Sequence, residues 1–472
     1  MRRKINNFSL FLHLFNHPLS MNDLGKDSIS KLLFNLATPA IVAQIVNVLY
    51  NIVDRIFIGR MPEGEIAMAG IGVSFPIILL IAACSALWGA GGAPLCAIRM
   101  GAHDTPGAEK ILTNSFVMLI LTSAALTTLF FVYGKDLLWI FGASDATMQY
   151  AWQYLSIYLF GTLFTQISLG LNPFINTQGF ARMGMATVMI GAAVNIILDP
   201  IFIFVLDMGV SGAALATLIA QATSAVWVMC FFLGKKSKLR IRREYLKPDT
   251  KIVRNTFSLG ISPFIMQSTE SLVLISLNTQ LARFGGDIAV SAMTVMTSIM
   301  QIILMPLRGL SEGMQPIVSY NYGAQQLARV RKAIHLALRV GMGYNVGLVA
   351  LLLLFPGLFV RIFNDSPTLI ETTSSYIRIY FIGITIFGAQ VICQQVFLSL
   401  GKAKISIFIA TLRKIILLVP LAYILPMLSE HKVHAVLTAE PISDITSALT
   451  TIVLFSFFYR KNLRQTTELI DH

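Results

Sequence analysis

The chain has 472 residues, of which 55% are hydrophobic and only 12% charged, and its mean hydropathy is +0.72. Soluble domains carry roughly 25% charge, so this composition excludes an ordinary soluble enzyme and identifies an integral membrane protein. The net charge of +13 does not point to nucleic acid, because Lys and Arg alternate with apolar segments instead of gathering on a soluble domain.

Residues 1–20, MRRKINNFSLFLHLFNHPLS, join a basic start to a short apolar run from Phe8 to Phe15. His13 interrupts that run and no good cleavage site follows, which argues against a secretory signal. The segment reads as a disordered part of a cytoplasmic extension over 1–30, with Met21 the natural start of the body. Apolar stretches long enough to cross about 30 Å of hydrocarbon then fall near 31–59, 66–98, 111–133, 149–175, 184–206 and 210–233. After a basic linker over 234–254, a second set falls near 255–282, 288–318, 333–360, 374–398, 405–428 and 434–458, followed by a cytoplasmic tail over 459–472. Clusters such as MPEGE (61–65), FGASD (141–145) and FNDSP (363–367) punctuate the spans. Cys84, Cys96, Cys230 and Cys393 lie inside apolar stretches without CxxC or Cys/His spacing, so neither disulfides nor zinc are expected.

The two sets are copies. Tyr154, Ile157, Tyr158 and Gly161 recur 222 residues later as Tyr376, Ile379, Tyr380 and Gly383. The same offset carries Gly91 and Pro94 onto Gly313 and Pro316, Gly101-Ala102 onto Gly323-Ala324, and Gly179, Ala181 and Arg182 onto Gly401, Ala403 and Lys404. Six spans per copy make both copies enter from one side, a parallel repeat. The fold class is therefore an all-α integral membrane protein, with twelve transmembrane helices in two six-helix bundles around a central cleft. Such an arrangement suggests a secondary transporter that places its substrate between repeats. With both termini inside, the arm, alternate loops and tail hold 28 of the 36 Lys and Arg. That count includes Arg339, Arg413 and Lys414 just inside their spans. The excess orients both termini to the cytoplasm, in a multi-pass protein of the plasma membrane.

The segments NIVDRIFIG (51–59), NIILDPIFIF (195–204), GVSGAALAT (209–217) and EGMQPIVSYNYGA (312–324) resemble the multidrug and toxic compound extrusion (MATE) family. The match runs from about residue 28 to 458. The resemblance implies two lobes that alternate between outward and inward openings, with export driven by a Na+ or H+ gradient.

A charge at mid-bilayer costs about 2.5–3.5 kcal/mol on insertion scales, so each acid in a span needs a reason. Asp54 lies in the outer half of the first span. Asn195 and Asp199, four apart, share one face of the fifth, and Thr217 falls at similar depth in the sixth. Their oxygens suit a small hard cation, and the paired acids equally suit a shared proton. The resemblance puts the cation or proton site at these positions, with no metal other than Na+. Pro200, directly after Asp199, frees an upstream carbonyl and bends the helix, a means of coupling occupancy to lobe shape. An interfacial pair between Asp54 and Arg55, or an interhelical hydrogen bond of Asn195, is the structural reading of the same residues.

In the second lobe Glu270 is the acid of the seventh span. Some relatives pair such an acid with another in the tenth, where this chain has Gln390, Gln394 and Gln395. Arg308 and Glu312 are expected to neutralise each other, and Glu440 and Asp444 share a face of the twelfth span without an evident partner. Met266, Met293, Met296, Met300 and Met305 are candidates for an adaptable wall. Glu270, Gln394, Met266 and Met296 are the residues named for substrate or a second ion. Gly89, Gly91 and Gly92 lack the Lys-Ser/Thr of a phosphate loop and read as close helix packing.

The function expected is a secondary active antiporter exporting amphipathic, often cationic compounds in exchange for Na+ or H+. It is not an enzyme and has no cofactor, ATP or nucleic-acid partner; membrane lipid and small organic substrates are its partners. The alternative is a flippase of a lipid-linked or amphipathic metabolite on the same two-lobed fold, disfavoured by the small number of buried Arg. The contexts of the two aspartates, VDR and LDP, also differ from the YD and GxGD pattern of intramembrane aspartic proteases.

Overall fold

A computed structural model describes residues 22–463, and every regular element among them is helical. The expected extension over 1–20, the Met21 start and most of the tail lie outside the described residues. Among the described residues nine helices are long and apolar enough to cross a bilayer, and two helix pairs bent at a break make further crossings. One of the nine, Thr250–Gly323, has 74 residues, which would extend about 110 Å at 1.5 Å per residue if straight. It breaks at Gly286, where φ is 63° and ψ −163°, a region open essentially to glycine alone. Divided there, it supplies two spans and brings the total to the expected twelve.

Spans one to six are Ile29–Gly59, Gly64–Gly101, Thr105–Ile140, the pair Asp145–Phe160 and Thr162–Thr177, Ala181–Val205, and Gly209–Leu233. Spans seven and eight are the two halves of the long helix. Spans nine to twelve are Leu327–Leu354, the pair Pro367–Tyr380 and Ile384–Ser399, Ala403–Leu428, and Lys432–Asn462. Local chemistry sets several starts. Asp104 accepts from Gly107 N at 2.9 Å at the head of span three, and Ser144 and Thr147 form a capping box before span four.

Backbone geometry repeats along with sequence. Span four bends by 59° at Gly161, and span ten by 53° at the break ending in Gly383. His103 and Gln325, also 222 apart, both take φ of 60° in the turns that follow spans two and eight.

The lobes meet through glycine. A Cβ on Gly101 would strike the carbonyl oxygen of Tyr320, and one on Gly323 would strike that of Ile98. Because 98 and 101 map onto 320 and 323 by the repeat, the contact is reciprocal, as at a two-fold interface. Gly91 lies against Gly260 N at 2.7 Å, and Gly309 against the Cα of Ile41 at 2.7 Å. All these approaches fall on the halves of spans one, two, seven and eight nearest the basic loops. The lobes therefore close on that side and the cleft opens on the other. The start of span one crosses the seam, since Leu32, Leu33 and Leu36 join a core with Leu307, Met314 and Phe397 of the second lobe.

Two polar straps cover the closed side. Asn22 Nδ2 donates to Gly179 O in the first lobe at 3.2 Å, while Arg329 Nη2 of the second lobe donates to Asp27 O at 2.7 Å and Leu24 O at 3.0 Å. The basic linker is held to the first lobe. Gln178 Oε1 accepts from Lys238 N at 2.7 Å, Glu109 pairs with Arg242 at 2.8 Å, and Lys110 pairs with Asp249 at 2.8 Å. The Lys110 hydrogen bond and two backbone N–H groups hold the Asp249 carboxyl below its ordinary range. That contact is present above the unfolded carboxyl pKa and is lost only as pH falls through the folded one.

The seam gives a direct test. Gly101→Ala and Gly323→Ala should each lower stability by about 1–3 kcal/mol, and by similar amounts, in thermal unfolding of the detergent-solubilised protein. Gly72→Ala, where nothing lies within 4 Å of the added Cβ, should not.

Candidate functional site

Four spans of the first lobe bring the predicted oxygens together. Asn195 and Asp199 are one turn apart on span five, which places both in the bundle interior, 1% and 0% exposed. Asn195 Nδ2 donates to Asp199 Oδ1 at 3.1 Å and to Thr217 Oγ1 of span six at 3.4 Å. Asp54, near the end of span one, puts its carboxyl against that of Asp199. Arg55 turns away and lies over the Phe75 ring at 5.4 Å, so Asp54 has no ion pair. Asp54 Oδ1, Asn195 Oδ1 and Asp199 Oδ2 are buried without a hydrogen-bond partner. Two carboxyl groups in contact repel unless a proton or cation lies between them.

Tyrosines complete this site, and sequence reasoning did not assign them to it. Tyr50 lies one turn before Asp54, and its hydroxyl is close to both aspartates. The Tyr154 hydroxyl comes against Thr217. Tyr158 lies one turn further along span four, its ring stacked on that of Tyr154 at 6.3 Å between centroids, and its hydroxyl approaches Gln221 and Thr165. The signal was present, because Tyr154 and Tyr158 head the strongest match of the internal repeat. Directly beyond Asp199, Pro200 leads into a π-helical turn over Ile201–Val205. The expected bend is thus present as a local change of helix type, a feature frequent at functional sites.

The second lobe corrects three expectations. Arg413 and Lys414 do not belong to a cytoplasmic loop. They lie about ten residues into span eleven, in a second π-helical segment, Leu412–Leu418, and both are largely buried. Glu440 and Asp444 do have a partner. Arg413 Nη2 reaches Glu440 Oε1 at 2.7 Å, its Nε reaches Asp444 Oδ1 at 2.6 Å, and its guanidinium lies 4.2 Å from the Phe387 ring centroid. Arg308 and Glu312 form no ion pair among the described residues; Glu312 instead accepts from Gln44 of span one at 3.0 Å, across the seam.

Glu270 pairs with Lys414, whose Nζ also donates to Met266 O at 2.7 Å. Its side chain remains 49% accessible, turned to the cleft, and Met266 is similarly exposed. Gln394 is buried beside them, Nε2 lying 3.2 Å from Met266 Sδ. Met296 is 0% exposed within the core of the second lobe and does not reach the cleft in this conformation. Gly89 packs on the Gly170 backbone and Gly91 on that of Thr256 and Gly260. The four cysteines are free.

Comparison with known proteins agrees with this architecture. The MatE family model matches residues 39–201 and 263–424, one segment in each lobe. A multidrug export protein MepA of Staphylococcus aureus is 21% identical over 448 residues, covering 94% of this chain and 98% of its own. The MepA of Staphylococcus haemolyticus is 23% identical over 380 residues, with 80% and 83% coverage. Among solved structures, a MATE in the bent conformation superposes with a TM-score of 0.88 at 22% identity, covering 94% of this chain and 98% of that one. An outward-facing multidrug resistance MATE transporter of the MOP superfamily gives 0.86 at the same identity and coverage.

The Arg413 cluster has a measurable cost of disruption. Arg413→Met leaves two buried carboxylates unpaired and should lower stability by about 3–5 kcal/mol, read as a reduced midpoint of thermal unfolding. Arg413→Met combined with Glu440→Gln and Asp444→Asn should recover part of that loss.

Proposed function

The chain belongs to the MatE family of efflux transporters, and from that premise we propose that it is a secondary active antiporter. It exports amphipathic, often cationic organic compounds in exchange for H+ or Na+ by alternating access. The observation that carries this reading is the contact of the Asp54 and Asp199 carboxyls, with three unpartnered buried oxygens around it. A site with that much unneutralised acceptor chemistry, reached by no Lys or Arg, is suited to an exchangeable cation. Direct carboxyl-to-carboxyl contact favours a shared proton. Na+ would instead sit between the two groups and draw on Asn195, Thr217 and the tyrosine hydroxyls.

Alternating access follows from the closed seam. With both termini cytoplasmic, the open side of the cleft faces outward. The coupling ion enters there and neutralises the aspartate pair, which removes the repulsion between spans one and five. The π-helical turn after Pro200 gives span five a place to bend as they close. Drug leaves to the outside, and the seam of Gly91, Gly101, Gly313 and Gly323 opens to deliver the ion inward. The cycle is driven only by the difference in ion affinity between the two states. In this reading Glu270 and Met266, which face the cleft, receive the cationic part of the drug.

Efflux of ethidium from loaded cells or vesicles, driven separately by a pH and a Na+ gradient, tests the proposal. Efflux should respond to one gradient in the parent and fall at least about tenfold in Asp54→Asn and in Asp199→Asn, the scale of one lost charge interaction. Gradient-driven efflux that survives in both variants would remove the first-lobe mechanism.

A further inference from the structure

The charged cluster of the second lobe contains an unequal number of acids and bases. Glu270, Glu440 and Asp444 face Arg413 and Lys414. Arg308 and Glu312 are the other charges near Glu270, and these two offset one another. Arg413 is saturated by its two carboxylates, and Glu440 Oε2 and Asp444 Oδ2 remain buried without partners. The surplus negative charge therefore lies behind Lys414, on the side away from the cleft. It compensates the ammonium even when Glu270 engages another partner. Glu270 is thus free to turn outward without leaving Lys414 as an isolated buried charge, which would be costly.

The two side chains differ in what they offer the cleft. Glu270 is the accessible member, 49% exposed against 10% for Lys414. Its Oε2 holds Lys414, and its Oε1 has no protein donor among the described residues. Lys414 uses two of its three N–H donors, on Glu270 and on the Met266 carbonyl. One acceptor and one donor of opposite charge are therefore left side by side, and the backbone bond to Met266 fixes the donor. A singly charged cation reaching Glu270 must compete with the tethered ammonium. A molecule bearing both an ammonium and a carboxylate satisfies both ends.

We propose that Glu270 and Lys414 form a two-pole subsite of the cleft that selects amphipathic zwitterions, Glu270 receiving the ammonium and Lys414 the carboxylate. The assignment rests on the reading of Glu270 as a substrate contact. It deepens that reading, since a site built on Glu270 alone would favour plain cations.

A matched pair of probes tests it without any mutation. Norfloxacin carries both charges, whereas its ethyl ester keeps the amine and loses the carboxylate. The ester is also the more apolar of the two, so hydrophobic partition alone favours it. The full chain in lipid nanodiscs should bind norfloxacin about tenfold tighter than the ester, the size of one charge-assisted hydrogen bond. Lys414→Met should abolish that preference and tighten ethidium binding, while Lys414→Arg should keep the preference. An ester that binds the parent as tightly as the acid, or a preference that survives in Lys414→Met, would overturn the two-pole subsite. Failure of ethidium and both probes to bind the parent at all would overturn the substrate-site reading itself, and this assignment with it.

Discussion

A carboxylate within the hydrocarbon layer costs about 2.5–3.5 kcal/mol unless a positive charge accompanies it, and the two lobes meet that constraint differently. In the first lobe Asp54 and Asp199 touch and no Lys or Arg side chain reaches them. In the second, Arg413 and Lys414 are built into span eleven and neutralise Glu440, Asp444 and Glu270 in place. One lobe must acquire its cation from solution, whereas the other carries tethered cations. A duplicated architecture has thus divided its labour, with ion exchange concentrated in one copy and fixed charge in the other. The fixed charge still leaves one acid, Glu270, turned to the cleft.

The repeat explains why these two solutions occupy similar places. Tyr158 and Tyr380 are equivalent by the 222-residue offset, and each stands beside its own lobe's acids. Span five of the first lobe and span eleven of the second each contain a π-helical segment, at Ile201–Val205 and Leu412–Leu418. In the first lobe it follows the site residue Asp199; in the second it bears the charged residues themselves. The reciprocal glycine contacts at Gly101 and Gly323 set the pseudo-two-fold relation between the lobes. They also place both acid clusters away from the closed seam.

Much of the fold was legible because bilayer thickness imposes a length on every crossing, and the repeat confirmed the segmentation. The bend at Gly161 was visible only as a repeated glycine; that it kinks span four by 59° depends on packing against its neighbours. The first-lobe site was legible for a similar reason. Acids are rare in apolar spans, and spacing of four puts Asn195 and Asp199 on one face. The second-lobe cluster escaped because Arg413 and Lys414 are close enough in sequence to the Lys402 and Lys404 loop to count with it. A hydropathy window cannot register that a π-helical segment turns them inward to Glu440, Asp444 and Glu270. Arg308 and Glu312 show the opposite failure, since helical spacing offered a pair but Glu312 bonds to Gln44 across the seam instead.

Division of labour between the lobes makes a claim about occupancy that can be measured without transport. Proton release and displacement of radioactive Na+ can be counted on the purified chain as ethidium is added, in the parent, in Asp54→Asn/Asp199→Asn and in Glu440→Gln. One exchangeable cation per chain should leave the parent and the Glu440 variant, and none should leave the double aspartate variant. Release that persists in the double aspartate variant, or disappears with Glu440 alone, would contradict the account.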